Sequence, residues 1–64
     1  MVKYVIFERR MDNRNQAYLL SVGVLEAGSL QEAVNNINDN FDNYVDSSYA
    51  GGEICLERIE QIRR

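Results

Sequence analysis

The chain has no histidine and a single cysteine, Cys55. With one thiol no internal disulfide can form, and without several Cys or His ligands a structural zinc site is excluded. The lone thiol suits a reducing cytoplasm. It reads as a small hydrophobe on a strand rather than a nucleophile, because no imidazole exists to activate it. The same absence removes the side chain that most often serves as a general base near neutral pH. No apolar run approaches the ~20 residues that a membrane-spanning helix needs. Met1-Val2-Lys3-Tyr4 passes straight into strand-like sequence without a signal-peptide pattern. A cytoplasmic protein with no membrane contact is expected.

Basic residues are missing from the middle of the chain. Glu26, Glu32, Asp39, Asp42, Asp46 and Glu53 follow one another with no Lys or Arg between them. Lys3, Arg9, Arg10 and Arg14 outnumber Glu8 and Asp12 before that block, and Arg58, Arg63 and Arg64 outnumber Glu57 and Glu60 after it. The net charge of −3 is therefore segregated. Such a field steers partners more than it shapes a fold.

What is present suits one small domain. The chain has 64 residues, 45% of them hydrophobic, which is the composition of a globular chain rather than a disordered one. A domain of this size buries only about 60% of its unfolded surface. Without metals or disulfides such domains often lean on a partner or on self-association.

Val2 to Arg9 is rich in β-branched and aromatic residues and reads as a strand, with Val2, Tyr4 and Ile6 on one face and Val5 and Phe7 on the other. Neither face is polar, which marks a central strand or one covered by a partner. Arg10 to Gln16, with Asp12, Asn13 and Asn15, reads as a hairpin loop. Ala17 to Leu25 is a second strand, its rows Tyr18, Leu20, Val22, Val24 and Leu19, Ser21, Gly23, Leu25. Gly23 marks a bulge or a close approach of backbone.

Ser29 to Asp46 predicts one long helix. Leu30, Ala33, Val34, Ile37, Phe41, Tyr44 and Val45 fall on one helical face. Asn and Asp crowd the other side and lower its intrinsic helix propensity, so the helix depends on a sheet beneath it. Ser29 and Glu32 form an S-x-x-E capping box. Ser47 to Gly52 closes the helix, with Gly51 and Gly52 available for a left-handed turn. Glu53 to about Glu60 is the third strand, with Ile54 and Leu56 toward the helix and a frayed end after it. The expected fold is α+β: a three-stranded antiparallel sheet of order 2-1-3 with one long helix packed on one face. The other face would be open to water yet apolar, which suggests an interaction surface.

Motifs for chemistry are sparse. Asp39-Asn40-Phe41-Asp42-Asn43-Tyr44 lacks the glycine of a calcium loop and lies on an apolar period. No phosphate-cradling glycine loop occurs, and no metal or cofactor is implied. Carboxylates that could act as an acid-base pair read as a solvated surface. A non-enzymatic protein is expected. Arg9, Arg10 and Arg14 make a small basic group, so direct nucleic-acid binding is the weakest reading. Asp39, Asp42 and Asp46 fall at i, i+3 and i+7 and form the candidate acidic contact surface, with Arg58 and Arg10 as secondary contacts.

Two families resemble parts of this chain. Gly28-Ser29-Leu30-Gln31-Glu32-Ala33, followed by Gly51-Gly52-Glu53-Ile54 entering a strand, resembles the small RNA-polymerase inhibitors of T7-type phages. They share its length and its strand-strand-helix-strand order. Their last strand carries two alternating arginines that face the polymerase; Arg58 matches one, and Leu56 stands at the position of the other. Lys3-Tyr4-Val5-Ile6-Phe7-Glu8 and the same helix opening resemble HicB-type antitoxins. Those usually carry a Pro-containing turn, and this chain has no proline. The resemblances imply a protein-binding role: an inhibitor of a host protein, RNA polymerase or another that handles nucleic acid. The alternative is an antitoxin-like or self-associating module, a homodimer pairing through a sheet edge.

Overall fold

A computed structural model describes residues 1–59. Three strands, β1 (Val2–Met11), β2 (Ala17–Ala27) and β3 (Ile54–Arg58), form one sheet in the order β2-β1-β3. Both pairings are antiparallel, so the β-β-α-β architecture expected of the sequence is the one observed. Two helices, α1 (Leu30–Asp39) and α2 (Phe41–Tyr44), lie between β2 and β3 in the chain. None is long and apolar enough to cross a membrane.

The hairpin between β1 and β2 is made by local polar chemistry. One carboxylate oxygen of Asp12 accepts from the amides of Arg14 at 2.8 Å and Gln16 at 2.9 Å. Asn15 takes the left-handed conformation at φ 61°, which Asn tolerates better than most residues.

The core lies between the sheet and the helices. Tyr4, Ile6, Val22, Leu25, Ala27, Ala33 and Ile37 are buried together, and Ile54 and Leu56 pack on them. Each fully buried aliphatic side chain there contributes roughly 1.5–3 kcal/mol relative to exposure.

The two-row alternation expected of β2 is broken. Ile6 pairs with Gly23 and Phe7 with Ser21, so Val22 is an extra residue, a bulge. It shifts the phase: Leu25 is buried, whereas Val24 is 55% and Leu19 50% exposed. Gly23 combines both roles foreseen for it. It borders the bulge, and a Cβ there would meet the Tyr44 carbonyl oxygen.

The single long helix is also corrected. α1 ends at Asp39, and Asn40 leaves helical geometry at φ −140°, ψ 52°. The run Asn38-Asp39-Asn40 is made of poor helix formers, whose side chains favour caps and turns. One further turn, α2, carries the apolar pattern across the break: Phe41, Tyr44 and Val45 still pack toward the core. Val45 then bridges Gly23, and the Asp46 amide donates to the Val22 carbonyl at 2.8 Å. At the start of α1 the Ser29 hydroxyl accepts from the Glu32 amide at 3.2 Å. The Glu32 carboxylate reaches back to the Gly28 amide, at 2.8 Å, one residue before the expected partner.

Gly51 and Gly52 do not stop a helix. They lie in the loop before β3, with Gly51 at φ 91°. β3 ends at Arg58, earlier than expected, and Ile59 has already left it. The expected frayed end at Glu60 to Arg64 lies outside the described residues.

Candidate functional site

The sheet is covered on one face only. On the other, the register sets Val5 opposite Val24 and Glu57, Phe7 opposite Ser21 and Cys55, and Arg9 opposite Leu19. Val5 is buried and Phe7 half-buried, but Val24, Leu19 and Met11 are exposed. The Cys55 thiol belongs to this exposed face. Two ion pairs lie on the same face, Lys3 with Glu26 at 3.8 Å and Arg9, between Phe7 and Met11 on β1, with Glu53 at 3.9 Å. Both are solvated and contribute little to stability. Exposed apolar side chains interspersed with charged ones suit a protein contact.

A second apolar surface lies between α1 and β3. The helices pack toward β2, where Val45 and Asp46 also bond. On the β3 side a groove of about 370 Å³ remains, lined by Leu30, Val34, Phe41, Ile54 and Leu56. Leu30, on the apolar stripe of α1, is still 54% exposed. The depression continues past Leu30 and Leu56 to Ser29 and Arg58.

The residue that sequence reasoning passed over is Glu8. It enters the sequence only as a charge and as the end of a strand motif, yet it is 1% exposed and lies on the core side of β1. Its carboxylate accepts from the Ala50 amide at 3.0 Å and the Gly52 amide at 2.7 Å. A Cβ on Gly52 would sit 2.7 Å from that carboxylate, so glycine permits the approach. The Arg10 guanidinium stands 4.0 Å away and adds a favourable charge. The loop is held from its other side by Tyr49, whose ring stands edge-on to Phe41 at 5.1 Å and whose hydroxyl donates to the Gly52 carbonyl at 2.9 Å. Together these contacts deliver the chain to the start of β3. Glu8 follows Val2, Tyr4 and Ile6 at the strand period of two, so its inward position was readable. Its partners, more than 40 residues away, were not.

The five candidate contact residues do not form one patch. Asp39 ends α1, Asp42 is in α2, and Asp46 lies beyond both; all three are exposed. With the helix broken at Asn40 they are not one helical stripe. The Asp46 carboxylate is engaged locally, accepting from the Ser48 hydroxyl and from its amide, the latter at 2.9 Å. Those two bonds hold the Asp46 pKa below its ordinary 3.8. Arg10 and Arg58 lie toward opposite ends of the sheet, since Arg58 pairs with Tyr4, six residues before Arg10 on β1. Six residues of strand span roughly 20 Å. The acidic residues lie on the helix-covered side, away from the uncovered sheet face. Arg9 and Arg10 point to opposite faces, toward Glu53 and Glu8 respectively, so the basic group near the hairpin is divided. Among the described residues no three Cys, Asp or Glu side chains converge as metal ligands.

Comparison of the chain with protein-family models, with curated proteins and with solved structures finds no match.

Proposed function

We propose that this protein is a non-enzymatic protein-binding module of the phage-inhibitor kind, which acts by occupying a host protein. The observation that carries this reading is the uncovered sheet face, where Leu19, Val24 and Met11 stand exposed around Val5 and Phe7. Apolar area of this kind on a 64-residue domain is most economically explained by a partner that covers it. The solvated charges Lys3, Arg9, Glu26 and Glu53 on this face would set orientation, because such charges act on encounter rate and specificity more than on affinity. Asp39 and Asp42, on the far side, would contribute long-range steering toward a basic partner.

The test is capture from a bacterial lysate by wild type, by Leu19→Lys/Val24→Lys and by Asp39→Asn/Asp42→Asn. Both lysines replace exposed side chains, so the circular-dichroism spectrum should stay that of wild type. The double lysine variant is expected to lose the partner. The double asparagine variant is expected to keep it, with weaker salt dependence. A partner set indifferent to the two lysines would refute the reading, as would a wild type that retains nothing.

A further inference from the structure

We infer that the outer edge of β3 takes an extended segment of a partner protein as a further antiparallel strand, one whose residues alternate between apolar and basic. This goes beyond the reading above, since the edge and the uncovered sheet face are separate surfaces.

The first argument is the state of the edge. β1 lies on one side of β3, and among the described residues no strand lies on the other. The Arg9 amide donates to the Glu53 carbonyl at 2.8 Å. That bond sets the phase of the ladder. Cys55 and Glu57 turn their main-chain groups toward β1, and Ile54 and Leu56 turn theirs outward. Arg58 has an interaction of its own and takes no part. β2, the opposite edge, is occupied by the Val45 bridge and the Asp46 amide. Antiparallel addition is the more stable pairing per residue, and in it the residues opposite Ile54 and Leu56 exchange both main-chain bonds with them.

The second argument is what flanks the edge, and it sets the chemistry of the occupant. On the helix-covered side runs the groove of Leu30, Val34, Phe41, Ile54 and Leu56. Leu30 and Val34 are exposed along it. An added strand turns the residues opposite Ile54 and Leu56 to this side, so they are apolar. On the other side lie Glu53, Cys55 and Glu57, a row with no base in it. Glu57 is half-buried, stands opposite Val5 and is in no ion pair among the described residues. Lys3, on the same face of β1, is paired with Glu26 instead. Opposite charges directly across a ladder stabilise it, and like charges destabilise it. The residue opposite Glu57 is therefore Lys or Arg, and Glu53, solvated in its contact with Arg9, favours a second one. The segment reads basic, apolar, any, apolar, basic. Main-chain bonds supply affinity in such a contact and the alternating side chains supply specificity. A segment with acids in the basic row would meet both glutamates and be rejected.

The probe is a fluorescent Lys-Val-Thr-Val-Lys peptide with blocked ends, titrated with the full chain. It is expected to bind saturably and to slow hydrogen exchange at the Ile54 and Leu56 amides. The Cys55 and Glu57 amides, already turned to β1, should not change. N-methylation of both valines removes the donors that face the edge and is expected to weaken binding by about tenfold or more. Glu57→Lys, with its fold checked by circular dichroism, is expected to bind this peptide about fivefold more weakly and Glu-Val-Thr-Val-Glu more tightly than wild type does. Leu19→Ser/Val24→Ser should bind the basic peptide as wild type does, which separates this edge from the uncovered sheet face. No saturable binding overturns the inference, as does equal binding of the N-methylated or the acidic peptide by wild type. So does slow exchange at Ile54 and Leu56 before any peptide is added: dependent on protein concentration it would mean a second copy on the edge, and independent of it a segment of the same chain.

Discussion

A methyl group on Gly23 would lie 1.9 Å from the carbonyl oxygen of Tyr44. This approach ties the end of α2 to the bulged part of β2, and from there Val45 and Asp46 run along the sheet. The obstacle is backbone, which cannot swing aside as a side chain can. Gly23→Ala is therefore expected to cost about 3 kcal/mol, the upper part of the overpacking range. Urea unfolding measures it. A loss under about 1 kcal/mol would mean that α2 is not seated on β2.

Glu8 is the polar centre of the core side. Glu8→Ala leaves the Ala50 and Gly52 amides without their acceptor and is expected to cost about 3 kcal/mol, since bonds to a charged acceptor contribute roughly 1.5–3 kcal/mol and orphaned donors add a penalty. Glu8→Gln keeps one acceptor oxygen and should cost about half as much. Hydrogen exchange at Ala50 and Gly52 should speed up in both variants, more in Glu8→Ala. Unchanged exchange at those two amides would contradict the assignment.

Asp46 gives a pH prediction of definite sign. Donation from Ser48 favours the ionised carboxylate, so the folded pKa lies below the ordinary 3.8. The associated stability is present above that ordinary value and fades as pH falls through the lowered folded value. In Ser48→Ala the NMR titration midpoint of Asp46 should return toward 3.8. A wild-type midpoint at or above 3.8 would remove the basis of the effect.

At the N-terminus of α1 the Ser29 hydroxyl satisfies the Glu32 amide. Ser29→Ala is expected to cost about 1 kcal/mol, the usual value of a lost N-cap. Asp42→Asn, an exposed change, should stay within about 0.5 kcal/mol. Parallel denaturation curves for the two variants provide the comparison, and equal costs would count against the cap.

Strand order and helix position were legible because they follow from period and spacing. Val2, Tyr4 and Ile6 alternate cleanly, Ala33 and Ile37 repeat at helical spacing, and a hairpin followed by a crossover leaves β1 in the centre. Features set by competition between local preferences were not legible. The Asn38-Asp39-Asn40 run weakens the helix, but the unbroken apolar period through Phe41 conceals where it breaks. The bulge at Val22 was signalled by Gly23 without its phase, so Val24 was grouped with Leu20 and Leu25 with Leu19, whereas the structure places them the other way round. An apolar face opposite the helix was expected, and Val5 and Phe7 now identify it. The Glu8 contacts join residues more than 40 positions apart, and no period or motif connects them.

The account depends most on a sheet that is covered on one side and bare on the other. Methyl NMR with a soluble paramagnetic probe tests this directly. The methyls of Leu19 and Val24 should broaden strongly, while those of Ile6, Val22, Leu25 and Ile37 should remain sharp. Leu19 and Val24 as protected as Ile6 would contradict the account, because the face proposed to receive a partner would already be covered.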